Sequence, residues 1–219
     1  HAPQYVEMPR WSDKQQLKEE KTALGFFYSG HPYTTVRAEV SRFVRCSLDR
    51  LEPKREPQFL AGLVTATRTK ITGRGKMAFV TLDDGTSQQE VAIYGEVLDS
   101  ERGKIIEDEV LIVEGKVQKD DFAGEGKVRV TAERLLTLAE ARGRFARELR
   151  LSLNGKFSGD RSATQRLKTL LSAYTPGVCP IRIRYSNGTA SCELMLGDSL
   201  RVRLEDELLN ALGEWVSTE

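Results

Sequence analysis

The sequence has no run of 18 apolar residues, so no segment reads as a bilayer-spanning helix. No apolar stretch with a basic flank and a small-residue cleavage site opens it, which argues against a secretory leader. Cysteine is scarce: Cys46, Cys179 and Cys192 are an odd, widely spaced set, and His1 and His31 are the only histidines beside them. That offers neither a disulfide framework nor a metal-ligand cluster, so no metal and no cofactor are expected. The reading is of a reduced, cytoplasmic chain, and the start at His1 without an initiator Met points to a fragment or a processed chain.

An excess of one charge is missing as well. Lys and Arg number 33 against 32 Asp and Glu, a net charge of +1. Division helps little: residues 1–59 carry ten basic and eight acidic groups, 60–131 ten and thirteen, and 132–219 thirteen and eleven. Any polyanion site must therefore be a local patch, because the field of the whole molecule is weak.

Catalytic constellations are absent too. Asp83 and Asp84 raise the idea of a Mg²⁺ site, but a two-metal centre needs further carboxylates on rigid elements. Adjacent strand residues also point to opposite faces. Both acids read as hairpin-turn residues, as do Asp120 and Asp121. His31 precedes a proline in a turn, Ser29 beside it has no positioned acid, and Cys46 reads as a packed thiol. The glycines at 73–75 lack the spacing of a phosphate-binding Walker loop. No catalytic residue is assigned, and the chain reads as a binding protein.

What is there is a change of periodicity. Residues 1–10 are Pro-rich; Ser12 then heads SDKQQLKEEKTALGFF, with Gln15 placed for a capping box and Leu17 and Leu24 as a buried stripe. After SGHP at 29–32, Thr34 or Thr35 caps a second short helix with Val36, Val40, Phe43 and Val44 on one face. LEPKREP at 51–57 reads as a linker. From Phe59, FLAGLVTATRTKITG and GKMAFVTLDD are strand-like, with Ala78, Val80 and Leu82 of one parity. The Asp84-Gly85 turn leads to QEVAIYG, a helix is expected at 96–106, and Val110–Gln118 and Lys127–Leu136 complete five strands.

Five strands with their longest connection between the third and fourth fit an OB barrel, whose long first strand bends at a glycine such as Gly62 or at a bulge. Residues 137–148 read as a connecting helix. A strand at 149–155, a helix at 161–174, a hairpin about Asn187-Gly188 and a helix at 204–216 give a small α+β domain of order β-α-β-β-α. The fold class is thus mixed: short helices over 1–58, an all-β five-stranded OB barrel over 59–136, the connector at 137–148, and an α+β domain over 149–219.

The basic run Arg68, Lys70, Arg74 and Lys76 is the best local signal, because no acid follows within the run until Asp83. In OB barrels a single strand lies across strands 2 and 3, framed by the first and the fourth–fifth loops. Cations there meet phosphates and aromatics stack bases. Phe79 and Tyr94 have the parity opposite to the core residues, and Phe122, bracketed by Lys119 and Lys127, lies in the fourth–fifth loop. In the last domain, Arg182, Arg184, Arg201 and Arg203 alternate with apolar residues, which places them on one strand face for a polar partner or for water. Trp215 either fills the small core or anchors a partner.

Three stretches carry a resemblance: EEKTALGFFYSGHPY, GKMAFVTLDDGTSQQEVAIYGEVLD and VLIVEGKVQKDDFAGEGKVRVTAERLLTLAEARGRFARELRLSL. Together the chain resembles the C-terminal region of the bacterial replicative DNA polymerase III alpha subunit. The resemblance implies that LGFFYSGHP at 24–32 ends the region after the polymerase fingers. It further implies that 59–136 is the OB domain holding template single strand at Arg68, Lys70, Arg74, Lys76, Phe79, Tyr94 and the Lys119–Lys127 loop. It makes 149–219 the domain that binds the clamp-loader tau subunit. No stretch resembles the palm carboxylates, the PHP domain or the internal clamp-binding peptide. Polymerisation and strong sliding-clamp contact are therefore not expected, and a monomer is. Two other readings stay open: the anticodon-binding OB domain of a class II aminoacyl-tRNA synthetase, and a protein-interaction scaffold whose OB face binds no nucleic acid.

Overall fold

A computed structural model describes residues 11, 13–73, 75–120, 124, 126–154, 161–186, 189–213 and 217–218. The chain divides into two compact units, one up to Leu135 and one from Leu136. No helix among the described residues is long and apolar enough to cross a membrane.

In the first unit, α1 (Asp13–Leu24) buries Leu17 but leaves Leu24 54 % exposed, so the expected stripe stops short. Gly25 ends the helix in the left-handed conformation (φ 83°), a shape that costs glycine nothing, and turns the chain away at Leu24. Glu20 organises the loop that follows. Its carboxylate accepts the Ser29 hydroxyl, the Ser29 and Tyr28 N–H groups at 2.8 and 2.9 Å, and Gln16 at 3.0 Å. Those donors, Ser29 first, hold its pKa down at about 2. Helix α2 (Pro32–Val40) begins earlier than expected: its cap is His31, not Thr34 or Thr35. The His31 Nδ1 accepts the Tyr33 N–H at 3.3 Å, and Pro32 at the first helical position has no N–H to satisfy. Val40 and Val44 are buried as expected.

Strands β1 (Gln58–Thr72), β2 (Gly75–Asp83), β3 (Gln88–Tyr94), β4 (Val110–Lys119) and β5 (Val128–Thr137) close a barrel in the order β1-β2-β3-β5-β4. The long β1 serves two neighbours, pairing with β4 over Gln58–Leu63 and with β2 over Leu63–Thr72. Both bending devices are used. The register slips between Val64 and Ala66, and a Cβ on Gly62 would stand 2.9 Å from Leu82 Cβ and from the Asp83 nitrogen. Parallel pairing of β3 with β5, Val91 beside Val130, completes the ring. Helix α3 (Gly95–Glu101) is shorter than 96–106, because the chain tightens into a 3₁₀ turn at Arg102–Lys104. Its Leu98 joins Val80, Leu82, Ile93, Leu111 and Val130 in the core. Each such side chain, fully buried, contributes about 1.5–3 kcal/mol.

Asp84 sets the β2–β3 turn. It is 3 % exposed, and its carboxylate accepts the N–H groups of Thr86 (2.8 Å), Ser87 (3.1 Å) and Leu48 (2.9 Å), plus the Thr86 hydroxyl at 2.6 Å. Arg37 donates to the Asp84 carbonyl at 2.5 Å, and His31 Nε2 stands 3.4 Å from Asp83 Oδ1. The SGHP stretch is thus docked on the LDDGT hairpin.

In the second unit, α4 (Leu138–Phe145) starts with a capping box between Thr137 and Glu140. Residues 137–148 were expected to connect domains, but this helix packs within the second unit. Ala141 is buried, and Arg142 donates to the Leu204 carbonyl at 3.1 Å and to Asp206 at 2.7 Å. Next come β6 (Leu149–Asn154), α5 (Arg161–Ala173), β7 (Ile181–Ser186), β8 (Ser191–Met195), α6 (Asp206–Gly213) and β9 (Ser217–Thr218). The sheet order is β8-β7-β6-β9, so a short last strand is added to the expected β-α-β-β-α. Leu171, Leu208 and Leu212 from the helices pack with Leu151 and Ile181 of the sheet. The Asn187-Gly188 turn lies outside the described residues, although β7 and β8 pair antiparallel on either side of it.

Candidate nucleic-acid interface

Residues paired directly across antiparallel strands share a face. Because Ala78, Val80 and Leu82 point into the barrel, the opposite parity of β1, β2 and β3 forms its outer wall. Pairing aligns three rows there: Ala66, Thr81 and Glu90; Arg68, Phe79 and Ala92; Lys70, Met77 and Tyr94. The sequence-level parity of Phe79 and Tyr94 is therefore the observed one. Phe79 is half-buried, Tyr94 is 47 % exposed, and Lys70 is exposed.

Arg68 lies along this wall. Its guanidinium stands 5.4 Å from the Phe79 ring centre and pairs with the carboxylate of Glu90, two strands away. The basic run is free of acids in sequence but not in space. Lys76 parts company with Arg68 and Lys70: it pairs with Ile71 and has the parity of Ala78, so it projects from the other side of the β1–β2 hairpin. Ile71 is 82 % exposed at this tip, and Arg74 lies outside the described residues.

The two loops bound the wall from opposite ends. Ala92 pairs with Thr131 in parallel, and Gln89 donates to the Val128 carbonyl at 3.4 Å. The β4–β5 connection therefore leaves from the Gln88 end of β3, whereas the β1–β2 connection reaches its Tyr94 end. Lys119 and Lys127 are exposed where that loop closes, with the Asp120 N–H donating to the Lys127 carbonyl at 3.0 Å. Phe122 lies outside the described residues. Two wall residues were missed by sequence reasoning, Glu90 and Arg129, each two positions before the Ala92–Thr131 pair. Their parity relative to Tyr94 and Val130 was a usable signal; attention to an uninterrupted basic run hid them. Among the described residues no group of three His, Cys, Asp or Glu is placed to hold a metal.

The second unit has an arginine face of its own. Arg182 and Arg184 on β7 pair in register with Arg150 and Ser152 on β6, and Arg184 with Glu193 on β8, lining a shallow cleft. Glu148 accepts Arg150 at 2.7 Å and Arg182 at 2.9 Å, and Arg182 reaches Glu193 at 3.4 Å. Those guanidinium groups, Arg150 first, lower the Glu148 carboxyl, and Glu148 in turn raises Arg182. Arg201 and Arg203 do not join them. They flank Val202, which makes only an isolated bridge to Cys179, and they lie outside the sheet strands. Arg201 pairs with Asp198 (2.8 Å) and donates to the Val178 carbonyl (3.3 Å); Arg203 pairs with Glu205 (2.8 Å) and donates to the Pro176 carbonyl (2.9 Å). The expected common strand face of four arginines is therefore two faces of two. Trp215 lies outside the described residues.

The barrel defines the class: residues 59–138 match the family described as an OB-fold nucleic acid binding domain. Residues 166–216 match the C-terminal domain of DNA polymerase III subunit alpha. Nearly the whole chain aligns with DNA polymerase III alpha subunits. It is 38 % identical to that of Neisseria meningitidis over 195 residues, covering 87 % of this chain and 16 % of that protein. Against Vibrio cholerae the identity is 34 %, over 95 % of this chain and 18 % of the relative. Against Escherichia coli it is 32 %, over 98 % and 19 %. The chain belongs to the DNA polymerase III alpha subunit family and spans less than a fifth of the length of these relatives.

Proposed function

We propose that this segment holds single-stranded template DNA on the outer wall of its OB barrel and docks the clamp-loader tau subunit through residues 149–219. One observation carries the first part: Arg68, Lys70, Phe79 and Tyr94 meet on one face of β1, β2 and β3, bounded by the Lys119–Lys127 loop. Cations beside half-exposed rings suit phosphates and stacked bases, and such binding tolerates any sequence. The family match of 166–216 supports the second part, with Arg182 and Arg184 as the partner face.

The test is fluorescence anisotropy with a labelled oligothymidine at several salt concentrations. Arg68→Ala/Lys70→Ala flattens the salt slope by about 1.4, two phosphates at roughly 0.7 each. Phe79→Ala weakens binding by about 1–3 kcal/mol and leaves the slope nearly unchanged. If both variants match wild type throughout, this wall is not the DNA site. An oligouridine of equal length separates the anticodon-type reading, which requires the RNA to bind more tightly.

Nucleotidyl transfer is assigned to other parts of the longer polymerase. The support is local: Asp83 accepts the Gly85 N–H at 2.7 Å and Gln88 at 2.9 Å, and Asp84 is engaged as described, so both carboxylates serve the turn. The isolated chain should not extend a primed template with nucleotides and Mg²⁺; extension abolished by Asp83→Ala would overturn this.

A further inference from the structure

Arg68, on which the single-strand reading leans most, is already engaged. It starts on β1, crosses the ring of Phe79 on β2 at 5.4 Å, and ends on the carboxylate of Glu90 on β3. A guanidinium over a ring within about 6 Å is attracted to its face. That same face is what a stacked base needs. The cation that should meet a phosphate and the ring that should meet a base are thus occupied by each other, with Glu90 as the anchor.

We infer that Glu90 is a built-in competitor for the phosphodiester, so that a single strand engages Phe79 only when Arg68 leaves Glu90's carboxylate for a phosphate. The inference deepens the single-strand reading and rests on it. The exchange is chemically even on the arginine side, one oxyanion for another. Arg68 and Glu90 are 69 % and 42 % exposed, and an ion pair so open is held weakly enough to be exchanged. It is uneven on the glutamate side. Glu90 is left unpaired on a wall now covered by a polyanion, where it repels the strand and gathers a cation in place of Arg68. Of the other cations placed on this wall, Arg129 donates to Gln118 Oε1 at 3.1 Å. Lys70 stands in the row beyond Phe79. Glu90 therefore lowers affinity and also masks part of the counterion release that phosphate contacts would display.

The test is Glu90→Gln in the full chain, which keeps the side-chain shape and removes only the charge. Oligothymidine anisotropy is measured on wild type, Glu90→Gln, Phe79→Ala, Arg68→Ala and Arg68→Ala/Glu90→Gln, with thermal unfolding as a check of folding. Glu90→Gln is expected to bind about fivefold more tightly at low salt, with a salt slope steeper by up to roughly 0.7, one phosphate's worth. In the Arg68→Ala background the same change should gain less than about twofold, because the competition it relieves has gone. Wild-type binding that is weakened by Phe79→Ala but equal or weaker in Glu90→Gln overturns the inference and leaves the single-strand reading standing. A Glu90→Gln gain of equal size with and without Arg68 also overturns it, since a diffuse field effect would then account for the change. No measurable binding by wild type, or no loss in Phe79→Ala, removes the single-strand reading and the inference with it.

Discussion

The barrel wall and the C-terminal sheet both present arginines on strands, and they dispose of the charge in different ways. On the barrel, Arg68 has one carboxylate, Glu90, and an aromatic ring beneath it. On the sheet, Arg150 and Arg182 converge on Glu148, and Arg182 spans to Glu193 as well. A cation over a ring can trade its partner for a phosphate while the ring takes a base. A cation braced by two carboxylates is fixed in position, and the face it belongs to presents alternating charge. The first arrangement fits a flexible polyanion that stacks; the second fits the patterned surface of a folded partner. Strand arginines alone do not tell these apart. What lies beneath and beside them does.

The same contrast holds for the carboxylates, and breaking it should have the largest effect. Burial by itself would raise the Asp84 carboxyl, but hydrogen bonds from Thr86, Leu48 and Ser87 prevail and hold it below the ordinary range. Glu148 is lowered too, by guanidinium groups in the open. Asp84→Ala strands three N–H donors, one of them the buried Leu48 N–H, and should cost about 3 kcal/mol of barrel stability. Urea unfolding measures it, and a loss below roughly 0.5 kcal/mol, the range of an ordinary surface substitution, would contradict the buried-turn role. The pH sign follows from the lowered pKa. A carboxyl depressed in the folded state stabilises fully above its unfolded value near about 3.9, and that contribution fades as pH falls through the folded value. Asp84→Asn should therefore flatten the acid limb of the stability curve. Raising salt should weaken the Glu148 interactions and leave those of Asp84 nearly intact.

Much of this was legible in sequence for identifiable reasons. The alternation of Ala78, Val80 and Leu82 against Phe79 fixes the strand face, since one-residue slips would expose the core, and the barrel keeps that register. The turn role of Asp84-Gly85 followed from hairpin chemistry. What failed was spatial. Lys76 sits one residue from the parity of Met77 and so leaves the wall, and Glu90 reaches Arg68 only because β1, β2 and β3 lie side by side. His31 read as a turn residue, yet a proline after it makes it a helix cap whose other nitrogen faces Asp83. Arg201 and Arg203 alternate like strand residues, but the turn at Pro176–Val178 supplies carbonyl acceptors that hold them locally. Periodicity reports which side a residue faces; it does not report which neighbour waits there.

The smaller effect is the one that sharpens the comparison, because it asks for a change on one surface and none on the other. In Arg182→Ala/Arg184→Ala the braces on β7 are gone while Leu151, Ile181 and the helices beneath are untouched. Titration calorimetry against the tau C-terminal region should show affinity reduced by about tenfold, the loss expected when a partner face gives up more than about 1 kcal/mol. The same protein should bind oligothymidine within about twofold of wild type, since its field acts weakly beyond a Debye length of about 10 Å at moderate salt. Phe79→Ala should give the mirror image, with weakened DNA and unchanged tau. If the arginine pair weakens DNA as much as Phe79→Ala does, the two faces are not distinct in function and the sheet takes part in holding the strand. If it leaves tau binding unchanged, the charge lattice around Glu148 serves only the sheet itself, and the partner face of residues 149–219 must be sought elsewhere in that domain.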